Sequence, residues 1–224
     1  MRSKLLLTGA TIAILLGGVA CTTTDPYSSA PRRNNTGTGV IAGALGGALL
    51  GYLTNTSNSE EGRKNALIGA GIGALGGAAV GQYMDRQQRE LEAELSGSGV
   101  GVARQGDNLV LRMPSDVTFA SNQSSINTRF YATLDDVAGV LNRYDQSIVD
   151  IVGHADSDGA DDYNLNLSRQ RASSVAQYLV SRNVLADRLY VDGRGESAPI
   201  ASNATAEGKA QNRRVEILIR PFRG

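Results

Sequence analysis

The chain has 224 residues, enough for one or two domains and one sizeable core. Its 22 Lys and Arg balance its 22 Asp and Glu, so the charge gives no reason to expect nucleic acid, which takes a basic surface. The 27 glycines, most of them in the first hundred residues, and the single Cys carry more information than the averages do.

Residues 1–20 read as a signal peptide. Arg2 and Lys4 form a short basic region, Leu5 to Val19 an apolar one, and small residues precede Cys21. The apolar run falls short of the ~20 residues of a bilayer span. A lone cysteine has no intramolecular disulfide partner, so Cys21 reads as a free or intermolecular thiol, or as a modified residue. Its place after an apolar run and a small residue resembles the lipobox of bacterial lipoproteins. That resemblance implies cleavage before Cys21 and its acylation, palmitate being one such group. Thr22 stands where an aspartate would resemble an inner-membrane retention signal, which favours the outer membrane. Each buried acyl methylene contributes ~0.8 kcal/mol, so several chains anchor firmly.

Residues 21–38 follow as a polar, Pro- and Gly-containing linker. Next comes a repeat: "GVIAGALGGALLG" at 39–51 returns as "GAGIGALGGAAVG" at 69–81. Glycine every four residues lines one side of a helix. It costs ~1 kcal/mol against alanine in a water-exposed helix, but lets two helix backbones approach closely. The spacing therefore predicts a glycine-zipper helical hairpin over 39–83, able to pair with a second copy or an envelope protein. Gly71, Gly73 and Gly76 also match the dinucleotide fingerprint, but "SEEGRKNALI" before them supplies no strand. "MDRQQRELEAEL" at 84–95 reads as a charged, exposed helix, and "SGSG" at 96–99 as a hinge.

The last domain spans 100–224. "LVLRM" (109–113), "SIVDIVG" (147–153), "RLYVDG" (188–193) and "RRVEILIR" (213–220) read as strands. Ile126, Phe130, Leu134, Val137, Ala138 and Leu141 recur at helical spacing, as do Ala172, Val175, Ala176 and Leu179. The fold class is α/β, an α+β sandwich of order βαβαββ with helices covering a mixed sheet.

The densest chemistry is "GHADSDGADDYNLNLSRQRA" at 153–172. Asp156 lies just beyond a strand end, where such folds bind ligands. Arg171, four residues from both Leu167 and Val175, flanks the apolar stripe of the next helix. A guanidinium at that boundary wants a carboxylate. Asp156 or another nearby aspartate would serve, and so would a ligand.

"VDIVGHADSDGADDYNLNLSRQRASSVAQYL" with "VDGRGESAPIASNATAEGKAQNRRVEI" resembles the peptidoglycan-binding domain shared by OmpA C-termini, Pal and the flagellar stator protein MotB. With the lipobox and zipper, the whole chain resembles the YiaD-type outer-membrane lipoproteins. The resemblance implies that Asp156 and Arg171 clamp the diaminopimelate of a peptidoglycan stem, the acid taking its ammonium and the guanidinium its carboxylate. It implies a secondary lining of Phe119, Asn164 and Leu167, with one of Arg213 and Arg214 at the site edge and the other structural. Family members often carry an acid after the phenylalanine; this chain has Ala120. The function implied is non-covalent tethering of the outer membrane to the wall, with the domain in the periplasm.

Other chemistries fit less well. "DSDGADDYNLNL" places Gly fourth and Leu twelfth, unlike a calcium loop. One histidine builds no multi-histidine metal site, and His154 reads as packed and hydrogen-bonded at the strand end. No metal or cofactor is called for. Asp156 beside Asp158 lacks the environment that raises a catalytic carboxyl, and no nucleophile–base pair stands out, so the chain does not read as an enzyme. The apolar segments carry no acid, unlike a proton-driven stator. One alternative of a different class remains: a zipper-driven oligomeric membrane assembly that the last domain only positions on the wall.

Overall fold

The structure is a computed structural model that describes residues 60–120 and 122–223. The signal peptide, Cys21, the linker and the first glycine ladder lie outside these residues. In chain order the elements are α1 (Glu60–Gly69), α2 (Gly77–Glu94), β1 (Gly101–Gln105), β2 (Asn108–Pro114), a single turn α3 (Ser115–Thr118) and α4 (Tyr131–Arg143). They continue with β3 (Ser147–His154), α5 (Asp161–Ser181), β4 (Leu189–Gly193), α6 (Ala206–Asn212) and β5 (Arg214–Pro221).

The strands form one mixed sheet in the order β1-β2-β5-β3-β4. Only β3 and β4 pair in parallel, and α5 is the crossover that joins them. Alternation sets the register: Leu109 lies opposite Ile219, and Ile217 lies between Leu111 and Ile151. These apolar side chains meet the buried stripes of α2, α4 and α5 in one continuous core.

Two expectations for the glycine-rich half are corrected. The helix predicted along 69–81 is broken: α1 stops at Gly69, Gly71 turns the chain at φ +81°, and α2 starts only at Gly77. Within the break, Leu75 forms a bridge with Arg223 and its N–H donates to the Phe222 carbonyl at 2.7 Å. Backbone pairing with the chain just past the end of β5 thus outweighs the weak helix propensity of consecutive glycines. Residues 84–95 are not an exposed helix either. Val80, Met84, Gln87, Leu91 and Leu95 recur at helical spacing along α2 and its cap, and all are buried. The core therefore crosses the boundary expected at residue 100. "SGSG" is a fixed turn, with Gly97 and Gly99 at positive φ and Ser98 Oγ donating to the Leu95 carbonyl at 2.7 Å.

At the opposite end of the sheet from the C-terminus of β3, α1 lies across the start of that strand. Leu67 packs with Ile148 and Phe222 in a small separate cluster. Arg63 donates to Asp150 at 2.7 Å, and Arg220 pairs with the other oxygen of the same carboxylate at 2.9 Å. Among the described residues, no helix is long and apolar enough to cross a membrane.

Candidate functional site

The C-terminal end of β3 meets α5 at two glycines. Gly153 and Gly193 lie opposite each other in the parallel register, and the helix backbone runs directly over them. A Cβ on Gly153 would stand 1.9 Å from the Ser168 carbonyl oxygen, and one on Gly193 would stand 2.6 Å from the Arg169 nitrogen. Ser168 secures the contact, its Oγ accepting from the Gly195 N–H at 3.0 Å. Close approach fixes α5 relative to the loop beyond β3, which carries Asp156.

Four residues of α5, Tyr163, Asn164, Leu167 and Arg171, then line a cleft of about 480 Å³. Asn164, Leu167 and Arg171 are three and four residues apart, hence on one helix face. Asp156 lines the same cleft, with Asp158, Tyr163, Phe119 and Arg213. All six residues singled out in the sequence as binding candidates therefore meet in one place. Sequence reasoning missed Ser115, Asp116, Asn122, Ala155, Asp158 and Tyr163, which with Ala120 complete the lining.

Asn164 organises the loop. Its buried amide donates to the carbonyl oxygens of Asp156 and Asp158 at 3.2 and 3.0 Å, and to Glu196 at 3.2 Å. Asp156 Oδ1 accepts from the Asp158 N–H at 3.1 Å, closing a small turn. Gly159, at φ +101°, lets the chain enter α5.

The ion pairing differs from the simplest expectation. Asp156 is held by Arg213, not by Arg171: Nη1 of Arg213 donates to Asp156 Oδ2 at 2.6 Å. Nε and Nη2 of Arg213 reach Asp116 Oδ1 and Oδ2 at 3.1 and 2.8 Å, a forked contact. Arg213 thereby holds the Asp116 carboxyl below its ordinary range, and the two acids raise the guanidinium in turn. The backbone brings the partners together, because the Ser115 N–H donates to the Arg213 carbonyl at 2.9 Å. Arg214 faces elsewhere, buried against Glu216 at 2.8 Å and the carbonyls of Asn212 and Ala198.

Arg171 is only 6% exposed, yet no carboxylate of the described residues lies within ion-pair distance. Its Nε donates to the Gln123 carbonyl at 3.0 Å, and its guanidinium lies 5.3 Å from the centre of the Phe119 ring. Phe119 is thus both core and cleft wall. Burial pushes the Arg171 pKa down, and Asp116 opposes that only in part. The site holds a desolvated cation whose charge is under-compensated.

His154 does not join the cleft lining. It is buried beside Arg214 and Glu216, but among the described residues neither ring nitrogen has a hydrogen-bond partner, contrary to the expectation of a satisfied strand-end histidine. Burial, and then Arg214, push its pKa down to about 4, so the ring is neutral. Asp158 pairs with Lys209 at 2.6 Å. Among the described residues no group of three or more His, Cys, Asp or Glu gathers as metal ligands.

The OmpA family matches residues 118–213, and the YMGG-like Gly-zipper matches residues 1–85. The chain is 43% identical over 222 residues to the probable lipoprotein YiaD of Escherichia coli (strain K12), spanning 99% of this chain and 100% of that one. The peptidoglycan-binding protein ArfA of Mycobacterium tuberculosis (strain CDC 1551 / Oshkosh) is 43% identical over 103 residues, covering 46% of this chain and 32% of its own. Among solved structures, the cell wall anchor of the T6SS from Pseudomonas aeruginosa superposes with a TM-score of 0.56 at 33% identity. That match covers 62% of this chain and 99% of the anchor.

Proposed function

The chain belongs to the OmpA family, in the full-length arrangement of the probable lipoprotein YiaD, and on that premise we propose that it is a lipoprotein that binds peptidoglycan without covalent attachment. The ligand is the diaminopimelate of the stem peptide. Acylated Cys21 anchors the chain in the outer membrane, and the C-terminal domain faces the wall from the periplasm.

One observation carries the reading. Arg171 is a buried guanidinium that lines a cleft and has no carboxylate partner among the described residues, while Asp156 presents a carboxylate to the same cleft. The free end of diaminopimelate carries one carboxylate and one ammonium. Arg171 would hold the carboxylate through parallel N–H bonds, and Asp156 would accept from the ammonium. Such charge-assisted bonds contribute ~1.5–3 kcal/mol each. The polymeric wall adds avidity. Asn164 positions the Asp156 loop, while Phe119 and Leu167 form the apolar wall under the ligand's methylenes.

The oligomeric alternative rests on residues 39–81. Of these, 39–59 lie outside the described residues, and 69–81 do not form the continuous helix it requires.

The test is co-sedimentation of the full chain, in detergent, with purified diaminopimelate-type sacculi. Binding is expected to be lost with Arg171→Ala, lowered with Asp156→Asn, and weak on lysine-type sacculi, whose stem lacks the second carboxylate. Equal binding to both wall types would overturn the diaminopimelate reading.

A further inference from the structure

Arg213 already sits on the carboxylate oxygen that the ligand's ammonium would use. It reaches Asp156 Oδ2 at 2.6 Å, and the other oxygen is engaged by the Asp158 N–H. Two cations on one buried carboxylate repel each other, so an ammonium gains little there unless the guanidinium gives way. Asp116 offers the place to go. Its carboxylate takes Nε and Nη2 of Arg213 in a fork, from the single turn α3 and at the more exposed edge of the cleft.

The charge count points the same way. Asp158 is taken by Lys209 at 2.6 Å, which leaves Asp116 and Asp156 facing Arg171 and Arg213 across the cleft. That arrangement is neutral, and it stays neutral when a zwitterion enters. Without Asp116, two guanidiniums would face one carboxylate, and the cleft would favour a plain anion.

We propose that Arg213 is a built-in stand-in for the ligand's ammonium, and that Asp116 determines specificity by retaining Arg213 when the ammonium takes over Asp156. The inference rests on the diaminopimelate reading and adds to it the device that selects a zwitterion over a simple acid or a simple amine. Asp116 has no sequence signature of its own, being a lone acid in "MPSDVTF".

The experiment uses the full chain in detergent and three synthetic stem tripeptides that differ only in the third residue. One ends in meso-diaminopimelate, one in lysine (no distal carboxylate) and one in 2-aminopimelate (no distal ammonium). Wild type should prefer the first. Asp116→Asn should weaken the diaminopimelate tripeptide about tenfold, yet leave the 2-aminopimelate tripeptide unchanged or tighter. Arg213→Gln should tighten the two ammonium-bearing tripeptides several-fold, since the internal competitor is gone. A merely structural Asp116 would weaken all three peptides in parallel, and a ligand-contacting Arg213 would lose affinity on substitution; either result overturns the inference alone. If wild type does not separate the three peptides, the diaminopimelate reading falls, and the inference falls with it.

Discussion

Two buried arginines, on different sides of the same core, show what distinguishes support from recognition. Arg188 lies under the end of α4, 1% exposed, with all three of its nitrogens hydrogen-bonded. It donates to the carbonyls of Ser147, Leu141 and Tyr144 at 2.8, 2.7 and 2.8 Å, and to Ser147 Oγ at 2.8 Å. Arg171, in the cleft, has one carbonyl and one ring. Neither has a carboxylate of the described residues within ion-pair distance, and burial lowers both pKa values, that of Arg188 to about 10. The difference lies in the donors. A guanidinium that ties four acceptors together holds a helix end to a strand; one whose terminal nitrogens face a cleft is ready for a ligand.

Arg188→Met puts the largest strain on that contrast. It leaves buried carbonyls without donors and should cost about 3–5 kcal/mol in urea unfolding, while the folded fraction still binds sacculi. Arg171→Ala should do the reverse, lowering stem-peptide affinity on the order of a hundredfold, or about 3 kcal/mol, with the unfolding midpoint little changed. Arg171→Lys should not rescue it, because an ammonium lacks the planar fork. If Arg171→Ala unfolds the protein as readily as Arg188→Met, the contrast fails.

Gly153→Ala tests whether the cleft depends on the placement of α5. The added methyl would meet the Ser168 carbonyl, so the helix must shift, at about 3 kcal/mol and with weakened binding together. His154 supplies a smaller, purely structural control. Its folded pKa of about 4 lies below the ordinary 6.5, so between these values only the unfolded chain takes up the proton. Stability should therefore fall by on the order of 2 kcal/mol as pH drops from about 6.5 to about 4, and level off below. His154→Gln should flatten that slope in a pH series of urea melts without changing stem-peptide selectivity at neutral pH.

The sequence was most legible where one segment carries its own signal. The strands around 109–113, 147–153, 188–193 and 213–220 show apolar alternation, and Asp156, Asn164, Leu167 and Arg171 fall within one short stretch. Signals were weak where partners are distant or the pattern is thin. β1 has Val102 as its one large apolar residue and pairs only at the sheet edge. The stripe of α2 is narrow and interrupted by Gln87, so its many charges dominate the reading. Which arginine meets Asp156 could not be read from spacing. That depends on the Ser115–Arg213 backbone contact, which joins segments nearly a hundred residues apart.

The position of α1 has a mechanical consequence. Residue 60 enters at the end of the sheet away from the cleft, held there by Leu67 against Ile148 and Phe222 and by Arg63 on Asp150. A pull between that point and the cleft meets this small attachment before it loads α2, or the strands in shear. Peeling residues 60–76 would pay out roughly 55 Å of chain at ~3.3 Å per residue. The arrangement places slack in series with the grip, so the first yield under tension lengthens the molecule and leaves the cleft assembled.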